Sequence, residues 1–376
     1  MVLLNANKTK KSQICNCLFV SMWLLRPIST LYGQLLDCRN WLYDRHIKPV
    51  FRPEQKIISV GNLTVGGTGK TPMIEYLVRK LGSGTSETDQ SESYSFQIAT
   101  LSRGYGRRSK GFLLANPAST AETIGDEPLQ LYRKFGRQIV VAVAERRADG
   151  LRQLLGRYPS VGVVLLDDAF QHRAVQPHLN ILLTDYNRPF YHDHPFPEGR
   201  LRERRHGAKR ADVIVVTKCP DNLPQSEKRR TIDEITPYKV TQTPVFFAGI
   251  TYEIPQPFGN QLIVPNKKTK VVLVSGLANA DLLETYVQQT FSLARHHRFN
   301  DHYAYSRAEL TLIIRDLPPG AILLTTEKDW VKLDPLLTAD ERAILPLYYL
   351  PVAMHFLDDE IAFLERVSAV VSPKNT

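Results

Sequence analysis

The sequence predicts an α/β fold: a P-loop-type parallel sheet flanked by helices, followed by a second, smaller α/β domain and preceded by an amphipathic membrane helix. Three observations carry that reading. Short apolar runs alternate with longer helical segments, the pattern of parallel strands joined by crossover helices. One run, Lys56–Val60, leads into a glycine-rich loop that ends in Gly69-Lys70-Thr71 and opens a helix. After a proline-punctuated stretch, the strand and helix pattern resumes from Lys270.

In chain order, residues 1–50 form an N-terminal region. Cys17–Leu25 is apolar, and Leu18, Met22, Leu25, Ile28, Tyr32 and Leu35 recur at helical spacing. Trp23, Trp41 and Tyr43 suit a membrane interface, and Arg26, Arg39, Arg45 and Lys48 suit anionic headgroups. The apolar run is about half the ~20 residues a spanning helix needs, so the expectation is an interfacial helix. The alternative is a helix packed on the protein's own core. Lys8, Lys10 and Lys11 precede the run as in a signal peptide, but no small-residue cleavage site follows.

Residues 51–219 read as the nucleotide domain. Its strands are Lys56–Val60, Phe96–Leu101, Gln138–Val143, Val161–Leu166, Asn180–Thr184 and Asp212–Thr217. The small, polar segment Gly82–Ser93 reads as a surface loop. Residues 220–269 carry seven prolines between Pro220 and Pro265 and read as a linker. Residues 270–376 read as the second α/β domain, with strands Val271–Val274 and Ala321–Thr325 and helices after Asp281 and near Trp330.

The chain of 376 residues has net charge +10, which suits an anionic partner. Its four cysteines are scattered, with no zinc spacing and no disulfide framework, so a reducing cytoplasmic setting is expected.

The loop carries the most chemistry. Gly66, Gly67 and Gly69 have no side chain, so backbone N–H groups can close around phosphate oxygens. Lys70 is placed to reach the outer phosphates, Thr71 to hold Mg²⁺, and the helix over Pro72–Leu81 points its positive end at the same anion. Thr64 stands where a glycine is usual. Asp167 and Asp168 end an apolar strand, where a carboxylate can sit beside the loop and hold a metal. Asp126 lies in an acidic turn, Gly125-Asp-Glu-Pro128, heading a helix. Arg103, Tyr105 and Arg107, spaced by glycines, suit an anionic or glycan ligand. The basic run Arg200–Arg205 with Glu203 embedded reads as a solvated face or, beside phosphate, as neutralising charge. On chemistry alone His172 is as good a candidate as His302.

Seven stretches together resemble one family. They are Thr64–Pro72, Ser102–Arg107, Gly125–Pro128, Asp167–His172, Gly199–Glu203, Asp301-His302 and Thr326–Asp329, which occur in this order in tetraacyldisaccharide 4'-kinase, the lipid A kinase of Gram-negative bacteria. Thr64 in the usual glycine position is itself similar to that family. Ala169, where a glycine is expected, and Pro197-Glu-Gly-Arg200 depart from its pattern without removing a reactive group.

The resemblance implies transfer of the ATP γ-phosphate to the 4'-hydroxyl of a tetraacylated disaccharide 1-phosphate, the lipid A precursor, at the cytoplasmic face of the inner membrane. It implies ATP binding by Thr64, Val65, Gly66, Gly67, Thr68, Gly69, Lys70 and Thr71. Asp167 and Asp168 look like the Mg²⁺ acids, with Thr71, and Glu203 like a further acid near the metal. Asp126 looks like the base, with His302 as its orienting partner and Lys70 as the third catalytic group. Whether His302 is charged or neutral stays open at this level. Two rivals are a switch ATPase or GTPase and a nucleic-acid binder. The first is weakened because no Asp stands two residues after Lys218, and the second because the basic run lacks aromatic interleaving. No nucleic-acid partner is expected.

Overall fold

The computed structural model describes residues 25–82, 97–259 and 264–372. The expected loop after Gly82, and Cys17, Leu18, Met22 and Trp23, lie outside them. The described chain begins with helix α1 (25–44). Then follow β1 (Lys56–Asn62), α2 (Lys70–Gly82), β2 (Gln97–Ser102), β3 (Leu113–Leu114), α3 (Ala121–Ile124), α4 (Asp126–Phe135), β4 (Ile139–Val143), α5 (Arg147–Arg157), β5 (Val161–Asp167), β6 (Leu179–Asp185) and β7 (Val213–Thr217). The second half holds α6 (Gln225–Ile235), β8 (Val245–Tyr252), β9 (Gln256–Pro257), β10 (Lys270–Gly276), α7 (Asp281–Thr290), β11 (Ser292–Phe299), α8 (Arg307–Arg315), β12 (Ala321–Thr326), α9 (Glu327–Leu333), α10 (Ala339–Ile344), β13 (Leu347–Leu350), β14 (Val352–Phe356) and α11 (Glu360–Val371).

Among the described residues the larger sheet runs β14-β8-β7-β6-β1-β5-β2-β4-β3. Pairings from β8 through β4 are parallel, and β14 and β3 close the two edges antiparallel. Helices cover both faces, so the inner strands are buried on both sides and read as continuous apolar runs rather than alternating ones. Ile57, Ile58 and Val60 on β1 are fully buried, as are Val163, Val164 and Leu165 on β5. The second sheet runs β11-β10-β12-β13-β9, parallel except for the β13–β9 pair.

β1 lies between β5 on one side and β6 on the other. Crossovers from a strand so placed diverge to opposite faces and leave a crevice at the carboxyl ends of the strands, where ligands bind in open α/β sheets. The register Val60↔Asp167 sets the tip of β5 beside the start of the glycine loop.

Two expected boundaries do not match this topology. Residues 220–269 are more than a linker, because they supply α6 and β8, and β8 extends the larger sheet beside β7. Pro244 precedes β8, and Pro255 and Pro257 follow it, so the prolines flank the strand instead of breaking it. Residues 270–376 do not all stay with the second sheet. β14 returns to pair with β8, and Phe363, Val367 and Val371 of α11 join the core beneath α2. The larger sheet thereby gains a covered edge, which an exposed β8 would lack.

The two sheets meet at α4 and α9. Ile124, Leu129, Val143 and Val331 form a shared apolar cluster. Lys134 of α4 lies 2.5 Å from Glu75 of α2 and 2.6 Å from Glu327 of α9, with all three side chains mostly buried. A buried cation shared by two carboxylates offsets part of their repulsion only while all three helices stay in register.

Candidate active site

The loop after β1 begins extended. Thr64 bridges Leu201, the Val65 amide donates to the Arg200 carbonyl at 2.8 Å, and the Arg202 amide donates to the Leu63 carbonyl at 2.7 Å. This pairing explains the missing glycine, since extended backbone accepts threonine. Glycine is needed later: Gly66 and Gly69 have φ of 124° and 80°. A Cβ at Gly66 or Gly67 would meet no atom and would stand in open space above the loop. α2 then starts at Lys70; Pro72 has no N–H and the Met73 amide bonds the Gly69 carbonyl at 3.1 Å, which leaves the Lys70 and Thr71 amides without an intrahelical partner at the end of the loop.

Lys70 Nζ lies 3.6 Å from Asp168 Oδ1. Both Asp168 oxygens accept from Arg202 Nη1 at 2.8 Å. Burial works to raise the Asp168 pKa, but Lys70 and Arg202 outweigh it and hold the carboxyl below its ordinary range. Asp167 is different. It is 3% exposed, and its Oδ1 has no partner among the described residues. Burial, helped by the charge of Glu127 and opposed by Lys70, pushes its carboxyl well above the usual range. Arg147 is buried behind it, donating to the Ala144 carbonyl at 2.5 Å and the Asp167 carbonyl at 3.1 Å.

Asp126, at the start of α4, is 5% exposed. His302 Nδ1 stands 2.9 Å from its Oδ2, and Lys328 and Lys332 of α9 stand 4.0 Å away. Burial raises the Asp126 pKa, but the His302 hydrogen bond and the two lysines prevail and lower it. The same hydrogen bond raises the His302 pKa, against burial and Lys328. Lys328 also reaches Asp301 at 2.6 Å and His302 Nε2 at 3.3 Å. The exposed Tyr105 ring lies 4.9 Å from the His302 ring. Gly104 and Gly125, with φ of 67° and 93°, let the loops bearing Tyr105 and Asp126 pack closely: a Cβ at Gly104 would fall 2.6 Å from the Ile124 carbonyl.

Asp168, Lys218 and His302 are three of the five non-glycine residues with positive φ among the described residues. Such backbone carries strain for an L residue, and strain of this kind clusters at functional sites.

The sequence-predicted residues therefore form two groups. Lys70, Thr71, Asp167 and Asp168 gather at the tip of β1, and Asp126, His302 and Tyr105 gather at the α4 end. Arg103, two residues before Tyr105, is exposed and electrostatically felt by Arg147 and His172. Arg107 is not available to a ligand in this arrangement. Its side chain is 2% exposed and binds Glu145 at 2.5 Å and the Gly111 carbonyl at 2.6 Å. Glu203 is likewise taken up. It is 1% exposed and accepts from Asn40 at 3.1 Å, Gln171 at 3.1 Å and Arg210 at 2.6 Å. Gln171 also donates to the Asn62 carbonyl at 2.8 Å, so Glu203 sits behind the base of the loop as an anchor. Among the described residues no group of three or more His, Cys, Asp or Glu side chains is placed to hold a metal by itself.

The sequence assigns no role to Arg147 or Lys328. Arg202 lies in the basic run that reads as a solvated face or as neutralising charge, without a signal for its pairing with Asp168. Lys328 lies in one of the stretches that carried the resemblance, without a spacing that betrays its partner.

A lysine and a carboxylate under a loop of amides, at the tip of a central parallel strand, form the device by which P-loop proteins grip nucleotide phosphates. The fold and the site thus define a P-loop nucleotide-binding protein. Comparison with known proteins narrows that class. A family model described as Tetraacyldisaccharide-1-P 4'-kinase matches residues 21–372. A tetraacyldisaccharide 4'-kinase of Flavobacterium psychrophilum is 39% identical over 354 residues, covering 94% of this chain and 97% of that one. The enzyme of the same name from Cytophaga hutchinsonii is 38% identical over 352 residues, covering 93% and 95%. The crystal structure of "apo" form LpxK from Aquifex aeolicus, in complex with ATP, superposes with a TM-score of 0.71 at 27% identity, covering 93% of this chain and 99% of that one. The chain belongs to the tetraacyldisaccharide-1-P 4'-kinase family.

Proposed function

We propose that this chain transfers the γ-phosphoryl group of ATP to the 4'-hydroxyl of a tetraacyldisaccharide 1-phosphate, forming lipid IVA. The observation that carries the reading is the Asp126–His302 pair, a buried carboxylate hydrogen-bonded to an imidazole in addition to the lysine and acids at the phosphate loop, which provides for an acceptor hydroxyl as well as a nucleotide. A switch ATPase needs only the loop.

In this mechanism the loop amides and the first turn of α2 bind the phosphates, and Lys70 offsets charge on the outer ones. Asp126 accepts the proton of the 4'-hydroxyl as that oxygen bonds to the γ-phosphorus. The bond from the γ-phosphorus to the β,γ-bridging oxygen breaks, and ADP leaves. The transition state of such transfers is loose, so an ionised carboxylate of low basicity suffices. His302 orients Asp126, and Tyr105 and Arg103 border the acceptor side. Mg²⁺, when bound, would supply neutralisation of phosphate charge. Thr71 and Asp167 fit it best, because the orphaned, buried Asp167 oxygen lacks a cation, whereas Asp168 and Glu203 have donors already.

The acyl chains stay in a membrane, so the enzyme works at its surface, on the cytoplasmic face of the inner membrane. α1 supports this placement. Its polar face is docked, with Asp37 on Arg204 and His206, Ser29 on the Glu198 amide and Asn40 on Glu203. Its apolar stripe faces outward, with Ile28, Leu31 and Leu35 each more than half exposed. No helix of the described residues is long and apolar enough to cross a membrane; a helix with its apolar face outward lies in the interface instead.

Incubating the protein with ATP and the phosphorylated disaccharide lipid should give a product heavier by one phosphoryl group. ATP hydrolysis with the lipid unchanged would refute the kinase reading. In flotation with vesicles containing anionic lipid, Leu31→Lys with Leu35→Lys should leave the protein at the bottom of the gradient. Unchanged flotation would remove α1 from the membrane contact.

A further inference from the structure

We infer that Thr217 and Lys218, at the carboxyl end of β7, are positioning residues that aim the amides of the phosphate loop. The inference rests on the kinase reading above. Lys218 Nζ donates to the Gly67 carbonyl at 2.5 Å and is held in place by Asp185 at 2.7 Å. Thr217 Oγ1 donates to the Thr68 carbonyl at 2.9 Å; the Thr184 carbonyl lies farther, at 3.2 Å, and one hydroxyl proton serves one acceptor at a time. On the same loop, Asn62 Nδ2 lies 2.8 Å from Thr68 Oγ1 and 3.5 Å from the Gly66 carbonyl.

A trans peptide is planar, and its C=O and N–H point in opposite directions. Drawing the Gly67 carbonyl toward β7 therefore turns the Thr68 N–H the other way. Drawing the Thr68 carbonyl toward β7 does the same for the Gly69 N–H. Two consecutive amides are thus turned away from the strand before any anion arrives. Glycine makes this loop deformable, and the β7 donors supply the rigidity that glycine cannot. Pre-ordering of this kind lowers the entropy lost on binding. Lys218 adopts left-handed backbone (φ 57°) to turn its side chain onto the loop. The turn is fastened by the Cys219 amide on the Ala248 carbonyl and the Tyr186 amide on the Thr217 carbonyl. Lys218 thereby sits in the sheet position from which a guanine-reading strand end would act, but its ammonium is spent on the loop.

The test is calorimetric titration of ADP, which the loop grips without chemistry, beside steady-state kinetics in ATP. Thr217→Val and Lys218→Met should each weaken ADP binding about tenfold, the scale of a lost hydrogen bond of this type. The KM for ATP should rise in parallel, with a smaller change in kcat at saturating ATP. Thr217→Ser and Lys218→Arg keep the donors and should recover most of the affinity. Thr217→Val preserves side-chain shape, so it reads the brace even if Lys218→Met fails to fold. Normal ADP binding by Thr217→Val would overturn the inference alone, as would a loss of kcat at unchanged KM. Failure of the wild-type protein to bind ADP would sink the kinase reading and the brace with it.

Discussion

The two ends of the proposed reaction are built in opposite ways. The phosphate end comes from adjacent strands of one sheet, β1 and β5, whose register alone sets Asp167 beside the loop. The acceptor end joins Asp126, at the head of α4, and His302, in the turn between β11 and α8, which are 176 positions apart. The first is fixed by backbone hydrogen bonding. The second depends on how α9 and the turn before α8 sit against α4, which the shared apolar cluster and the Glu75–Lys134–Glu327 bridge control. The contrast teaches that binding of nucleotide and readiness of the acceptor base are separable, and variants at the two ends should fail differently.

At the phosphate end the expected loss reaches binding as well as turnover. Lys70→Ala should lower kcat/KM by about 10²–10³, as for loss of one charge-stabilising donor, and should weaken ATP binding too. Near-normal kinetics for this variant would break the comparison on its first side. The smaller effect sharpens the second side. The His302 pKa is raised in the fold, so its pairing stabilises in full below its ordinary value of about 6.5 and fades as pH rises through the raised one. The Asp126 pKa is lowered, so its share is present above about 3.9 and is lost only as pH falls through the lowered value. His302→Asn should therefore cost about 1 kcal/mol near pH 5–6 and less at pH 8–9, read as the gap in Tm between variant and wild type. A gap that is flat over that range would mean that folding does not raise the His302 pKa.

Legibility in the sequence follows the same division. The loop, the helix behind it and the acids ending β5 are contiguous or lie at strand tips, so local pattern found them, along with the parallel sheet itself. Asp126 and His302 came from resemblance, since no spacing links residues that meet only in three dimensions. Arg107 reads as a free cation because its partner Glu145 stands on the strand-end segment after β4, where only folding places it. The metal role of Glu203 rests on resemblance alone, and its three donors, from α1, the turn after β5 and its own basic run, meet it only in the fold. Prolines flanking β8 mask it as a strand, and β14 is a run of only five residues.

The central claim is that Asp126 serves the acceptor and not the nucleotide. The direct measurement is transfer of labelled γ-phosphate to the disaccharide lipid by Asp126→Asn, with ATP binding measured on the same preparation. The account predicts ATP bound with the wild-type Kd and label transfer slowed by about 10²–10⁴. Transfer at the wild-type rate, or loss of ATP binding in step with transfer, would contradict it.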